Sequence, residues 1–227
     1  MEIIFISDLH SNLEAINSIS KEISNKRIYC LGDIVGYGPN PNETIDWVRN
    51  NTVKTIKGNH DYAVVNNNTS NFNLFAKKSI LWTIKKLTID NTEYLKNLPL
   101  TYKFSIEKIN ILLVHGSPED PLNEYVIPEH YEQLFEYYLD KNKVNIIVLG
   151  HTHIPFSIKK KNGYIINPGS VGQPRNGNPN ASYAVVSIED NYIDVNIKNV
   201  KYNWDKTINK MNKINFKSFS SRLKQRY

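Results

Sequence analysis

Five of the six histidines fall in short clusters flanked by glycine or carboxylate residues: Asp8-Leu9-His10, Gly58-Asn59-His60-Asp61, His115-Gly116 and Gly150-His151-Thr152-His153. A further cluster, Gly32-Asp33-Ile34-Val35-Gly36, adds a carboxylate. Asp, His and Asn are oxygen and nitrogen donors suited to Mn, Fe, Zn or Mg. In an extended segment residues i and i+2 share a face, so Asp8 with His10, and His151 with His153, are expected to point together without unusual backbone geometry. The glycines at 32, 58, 116 and 150 allow sharp turns at strand exits. Asp8, Asp33, Asn59 and four histidines suffice to ligate two divalent ions. Such ions, about 3.5–4 Å apart, activate water and clamp a phosphoryl group.

The elements around these clusters alternate. Strands are predicted over Glu2–Ser7, Arg27–Leu31 and Thr52–Ile56, with helices over Leu13–Ile23 and Glu43–Arg49 between them. Each strand runs into a cluster, where open α/β sheets place their sites. Helices over 74–87 and 91–98 follow a polar, Asn-rich loop at 66–73. Next come a hairpin of 102–105 with 110–114, a helix over 128–139 and a strand over 144–149. Short β segments close the pattern at 156–160, 164–167, 181–188 and 192–200. Two sheets with outer helices are the natural assembly.

The composition, 40% hydrophobic and 22% charged, suits a globular protein with a core. No run approaches the ~20 apolar residues of a membrane span, and the N-terminus lacks the basic start of a secretory signal. The single cysteine, Cys30, suits a cytoplasmic location. Charge is uneven: residues 201–227 hold eight Lys/Arg against one Asp, and residues 1–200 hold 20 basic and 21 acidic residues. The whole-chain net charge of +6 therefore belongs to the tail. The tail reads as a basic C-terminal helix or extension, with Trp204, Ile208, Met211 and Ile214 at helical spacing. Attraction to nucleic-acid phosphates is its sharper reading.

The ordered set D-x-H, G-D-x-x-G, G-N-H-D, H-G and G-H-T-H resembles the calcineurin-like metallophosphoesterase superfamily. Gly32–Pro39 and Asn167-Pro168-Gly169-Ser170 resemble its small bacterial and archaeal phosphodiesterase branch. The resemblance covers residues 1–200 and implies an α/β fold, a four-layer αββα sandwich with two mixed sheets. It implies one ion held by Asp8, His10, Asp33 and His153, and a second held by Asp33, Asn59, His115 and His151, with Mn or Fe favoured and Zn, Ni or Mg admitted. His60 would bind no metal and would stabilise or protonate the leaving oxygen, with Asp61 orienting His60 or its loop, or capping a helix. Asn12 is expected to contact phosphate or to cap a helix. Gly36-Tyr37-Gly38 stands where protein phosphatases carry Asp-Arg-Gly, which argues against phosphoprotein substrates. Arg175 is the candidate guanidinium in place of that arginine. The implied activity is hydrolysis of a small phosphodiester or nucleotide-type substrate. The alternatives are a phosphomonoesterase, a diadenosine-tetraphosphate-type hydrolase, a nuclease using the tail, or a metal-binding scaffold.

Overall fold

β1 (Glu2–Ile6) carries four successive apolar residues because both its faces are covered: Ile3 and Phe5 point to one core, Ile4 and Ile6 to another. This computed structural model describes residues 1–190, 192–214 and 216. Asn191, Lys217, Arg222, Lys224 and Arg226 lie outside the described residues. β1 pairs in parallel with β2 (Arg27–Cys30), and β2 with the short β3 (Lys54–Thr55). β9 (Ala181–Glu189) lies antiparallel to β1, and β10 (Tyr192–Val200) antiparallel to β9. The sheet order is β10-β9-β1-β2-β3. β3 is shorter than the predicted 52–56 strand because it is an edge with β2 as its one ladder partner.

The second sheet has the order β4-β5-β6-β8-β7, from β4 (Thr101–Ile106), β5 (Ile109–Val114), β6 (Ile146–Val148), β8 (Gly163–Asn167) and β7 (Phe156–Lys160). Its β5, β6 and β8 are mutually parallel. Phe5, Leu31 and Ile56 of the first sheet and its loops meet Ile111, Leu113, Val148 and Ile166 of the second in one apolar layer. Full burial of each such side chain stabilises by about 1.5–3 kcal/mol.

The first sheet's other face is covered by α1 (Leu13–Ile23), α2 (Pro41–Asn51), α3 (Asn59–Asn66), α4 (Leu74–Lys86), α5 (Ile89–Lys96) and α8 (Trp204–Lys213). The second sheet's outer face receives α7 (Phe135–Asn142), with Phe135, Tyr138 and Leu139 on Leu112, Ile147 and Ile165. The result is the expected αββα sandwich. The predicted 128–139 helix breaks into α6 (Pro128–Tyr131), a 3₁₀ turn at Glu132–Leu134 and α7. α3 bears out the reading of Asp61 as part of a helix start. Among the described residues no helix is long and apolar enough to cross a membrane.

Candidate metal centre

The C-terminal ends of β1, β2, β3, β5 and β6 deliver Asp8–His10, Asp33, Asn59–His60, His115 and His151–His153 to one end of the sandwich. Two groups of donors form there. Ligand atoms of Asp8, His10, Asp33 and His153 lie within 4.8 Å of one another, as do those of Asp33, His115 and His151. Asp33 belongs to both: its Oδ2 is 3.6 Å from His10 Nε2 and 3.5 Å from His115 Nε2. Asn59 Oδ1 lies 3.2 Å from His115 Nε2, beside the second group. All these residues except Asn59 are buried.

The extended-strand expectation is corrected here. Asp8, His10, Asp33, His151 and His153 all have left-handed backbone, with φ of 55°, 46°, 50°, 66° and 62°. Such strain, of order 1–3 kcal/mol per residue, persists where the surroundings over-determine it. Asp8 and His10 still share one group, whereas His151 and His153 divide between the two, as the family resemblance implies. Backbone bonds hold the loops: His10 N donates to Asp33 O, Asp8 N to Gly32 O, and Gly172 N to Asp8 O.

The imidazoles are oriented from behind. Nδ1 of His10, His115 and His153 approaches the carbonyls of Val35, Leu31 and Gln173 at 3.1, 2.7 and 2.6 Å. In the neutral rings this assigns the proton to Nδ1 and leaves Nε2 as the free donor atom. In His151 the roles reverse, because Nε2 faces the Asn123 carbonyl at 3.2 Å. Burial drives His10 well below the usual histidine range, with His153 adding to the shift. Burial and the proximity of His115 bring His151 to about 3. Burial also opposes charge on His115, but Asp33 overcomes it and raises the group to about 9. Burial alone would raise Asp8; His153 and His115 reverse this and leave it low.

These donors fit divalent cations. His10 Nε2 and His153 Nε2 face each other at 3.1 Å, and Asp8 Oδ1 is buried without a hydrogen-bond partner among the described residues. Neutral rings with Nδ1 protonated present two lone pairs to one point, which a cation satisfies and a proton does only in part.

His60 opens into a cavity of ≈ 290 Å³ lined also by Asn59, Phe72, Asn123, Tyr125, His151 and Arg175. Its ring packs on His10, Tyr37 and Phe72 at centroid distances of 4.9, 4.6 and 4.9 Å. Its Nδ1 is buried, with no hydrogen-bond partner among the described residues. Burial lowers its pKa to about 4. Asp61 does not touch that nitrogen. It starts α3, accepting from Gly58 N at 3.0 Å and Val35 N at 3.1 Å, and so ties two site loops together. Burial, then Asp33, raise its pKa to about 7.

Arg175 reaches the cavity rim, with its guanidinium on Gln173 Oε1 at 3.1 Å. Asn12 does not line the cavity, which corrects the phosphate-contact expectation. Its Oδ1 accepts from Ala15 N and Thr207 Oγ1, and its Nδ2 donates to Gly172 O and Tyr202 OH. Cys30 is buried, and burial pushes its thiol up, so it is inert. The cavity walls Asn71, Phe72, Asn73, Asn123 and Tyr125 escaped the sequence reading. Phe72, an aromatic inside the Asn-rich 66–73 loop, was the available signal.

Comparison with known proteins agrees with this arrangement. The calcineurin-like phosphoesterase superfamily domain matches residues 1–191. An uncharacterized protein of Methanocaldococcus jannaschii is 37% identical over 226 residues, covering 91% of this chain and 90% of its own. Phosphodiesterase YfcE of Escherichia coli is 23% identical over 202 residues, covering 82% and 87%. A metallophosphoesterase from Sphaerobacter thermophilus, with a solved structure, superposes with a TM-score of 0.83 at 32% identity, covering 98% of each chain. With its donor groups set at the strand ends of a two-sheet sandwich, the chain belongs to the calcineurin-like phosphoesterase superfamily and is a metal-dependent hydrolase of phosphoester bonds.

Proposed function

We propose that the protein is a phosphodiesterase acting on small diesters or nucleotide-type substrates with two divalent cations. One ion would be held by Asp8, His10, Asp33 and His153, the other by Asp33, Asn59, His115 and His151. The observation that carries this is Asp33 standing between His10 and His115 at nearly equal distances. Bound cations supply activation of water and neutralisation of phosphoryl charge. The mixed nitrogen and oxygen donors suit Mn or Fe first, with Zn, Ni or Mg admissible.

The chain's own residues do the rest. His60 turns Nδ1 against Gly36, so Nε2 is the nitrogen available to substrate. A ring neutral at pH 7 donates a hydrogen bond from Nε2–H to the leaving oxygen and stabilises its developing charge. Arg175 offers a guanidinium to a non-bridging oxygen at the rim. The cavity's size fits a small ester group, and Phe72 and Tyr125 supply apolar walls for an aryl group or a base. The Escherichia coli relative, a protein named phosphodiesterase YfcE, supports the diester reading. The buried Cys30 suits a cytoplasmic site of action.

The test compares bis(4-nitrophenyl) phosphate with 4-nitrophenyl phosphate on Mn²⁺-loaded protein. The diester is expected to show the higher kcat/KM by at least tenfold. A monoester preference would establish the phosphomonoesterase alternative, and no turnover of either with metal bound would favour the scaffold.

A further inference from the structure

We propose that α8, which lies beyond the part of the chain matched by the family domain, positions the Asp8–His10–Asp33–His153 group through Met211 and Thr207. The inference rests on reading that group as a cation site. α8 supplies no atom to either donor group and lines no part of the catalytic cavity. It nevertheless grips the loops that carry the donors from behind.

Two separate connections do this. Met211 is fully buried in a small cluster with Tyr37 and Ala76, with Phe72 and Phe216 packed against it. Tyr37 in turn places its ring 4.8 Å from His10, edge-on, and 4.6 Å from His60. Thr207 Oγ1 donates to Asn12 Oδ1 at 3.0 Å, and Asn12 Nδ2 donates to Gly172 O at 2.9 Å. Gly172 N then donates to Asp8 O at 2.9 Å. A third contact seats the helix: Lys210 Nζ lies 2.8 Å from Glu14 Oε1 and 3.2 Å from Asn40 Oδ1, while Asn40 N bonds Ser11 O.

The physical need is clear from the backbone. Asp8, His10, Ser11 and Tyr37 all lie in the left-handed region, at φ of 55°, 46°, 54° and 58°. Four such residues in two adjoining loops relax unless packing holds them. α8 supports both loops, through Thr207 on Asn12 and through Met211 packed under the cavity-wall residues Tyr37, Phe72 and Ala76. Neither connection ends on His115 or His151, and the link from Asp8 to the second group is the bond His151 N donates to Asp8 Oδ2 at 3.1 Å. The expected effect is therefore larger at the ion of the Asp8–His10–Asp33–His153 group than at the other, which shares Asp33 with it.

The test uses the full chain and titrates metal-free protein with Co²⁺, reading affinity by calorimetry and coordination by the visible spectrum. Wild type is expected to bind two ions. Met211→Ala and Thr207→Val should each weaken one ion at least tenfold and the other by a clearly smaller factor. The spectrum of the weakened ion should match the one lost in His153→Ala, not the one lost in His151→Ala. Met211→Leu and Thr207→Ser should restore binding. Leu139→Ala, in the core under α7, controls for stability and should lower Tm with both affinities unchanged. Thr207→Val removes one hydroxyl at constant volume, so it reports even where Met211→Ala does not fold.

Wild-type affinity at both ions in Met211→Ala or Thr207→Val would overturn the inference. So would an equal loss at both ions that scales with the fall in Tm. A wild type that binds no ion would instead remove the cation reading beneath it.

Discussion

His10 and His153 turn their Nε2 atoms toward each other across 3.1 Å, and each is pinned in that pose by a backbone carbonyl behind it. The pair is 143 residues apart in sequence. Held neutral, the two rings concentrate lone-pair density at one buried point, and Asp8 Oδ1 lies 3.2 Å from His153 Nε2. The folded chain gathers these donors at one point and the unfolded chain does not, so binding of a cation there adds to folding stability.

Chelation is therefore expected to lower Tm as well as abolish hydrolysis. Ion present at about 100 times its Kd stabilises by about 2.7 kcal/mol per site. Calorimetry with and without Mn²⁺ measures this. Equal Tm values in the two states would contradict the assignment of these donors.

His60→Gln is expected to reduce kcat by about 10²–10⁴-fold with metal content unchanged. The ring is no member of either donor group and acts from the cavity wall. Metal analysis beside kinetics separates the two roles. Loss of an ion in the variant would make His60 a ligand.

Gly36 has φ +88°, and a Cβ there would lie 2.4 Å from His60 Nδ1. Gly36→Ala adds backbone strain and displaces the ring. It should destabilise the fold by about 1–3 kcal/mol and lower kcat by about 10²-fold, the effect of misplacing a catalytic group by roughly 1 Å. Denaturant unfolding and steady-state rates check both effects.

Acid sensitivity of the metal-free protein follows from the buried histidines. His60 and His151 titrate near 6.5 when unfolded and at about 4 and about 3 when folded. The folded state thus binds fewer protons between those values. The stability they contribute is complete above pH 6.5 and is lost as pH falls toward 4 and then 3. Each contributes a slope of up to about 1.4 kcal/mol per pH unit. His115, raised to about 9, has the opposite sign: its contribution is complete below 6.5 and fades as pH rises through 9. Unfolding free energy from pH 7 to 4 should therefore fall, and His151→Gln should flatten the fall. A curve unchanged by that substitution would refute the histidine origin.

Much of the architecture was legible because it rests on local signals. The apolar runs ending in Asp8, Asp33, His115 and His151 read as strands, and strand-end placement followed. α3 was half legible: Asp61 reads equally as a partner of His60 or as a helix cap, and the bonds it accepts from Gly58 N and Val35 N decide for the cap. The same long-range bonding turned Asn12 from a phosphate contact into a hub for Gly172, Tyr202 and Thr207.

The sequence by itself determined the kinds of donor, their order, and the strand ends that carry them, because ligand chemistry and side-chain periodicity are properties of short segments. Only the tertiary structure decided which imidazole nitrogen each donor presents and which helix braces the loops. Those outcomes depend on how two sheets and α8 pack across more than a hundred residues of chain. They are set by left-handed backbone and by carbonyls contributed from distant segments, such as Val35 behind His10 and Gln173 behind His153.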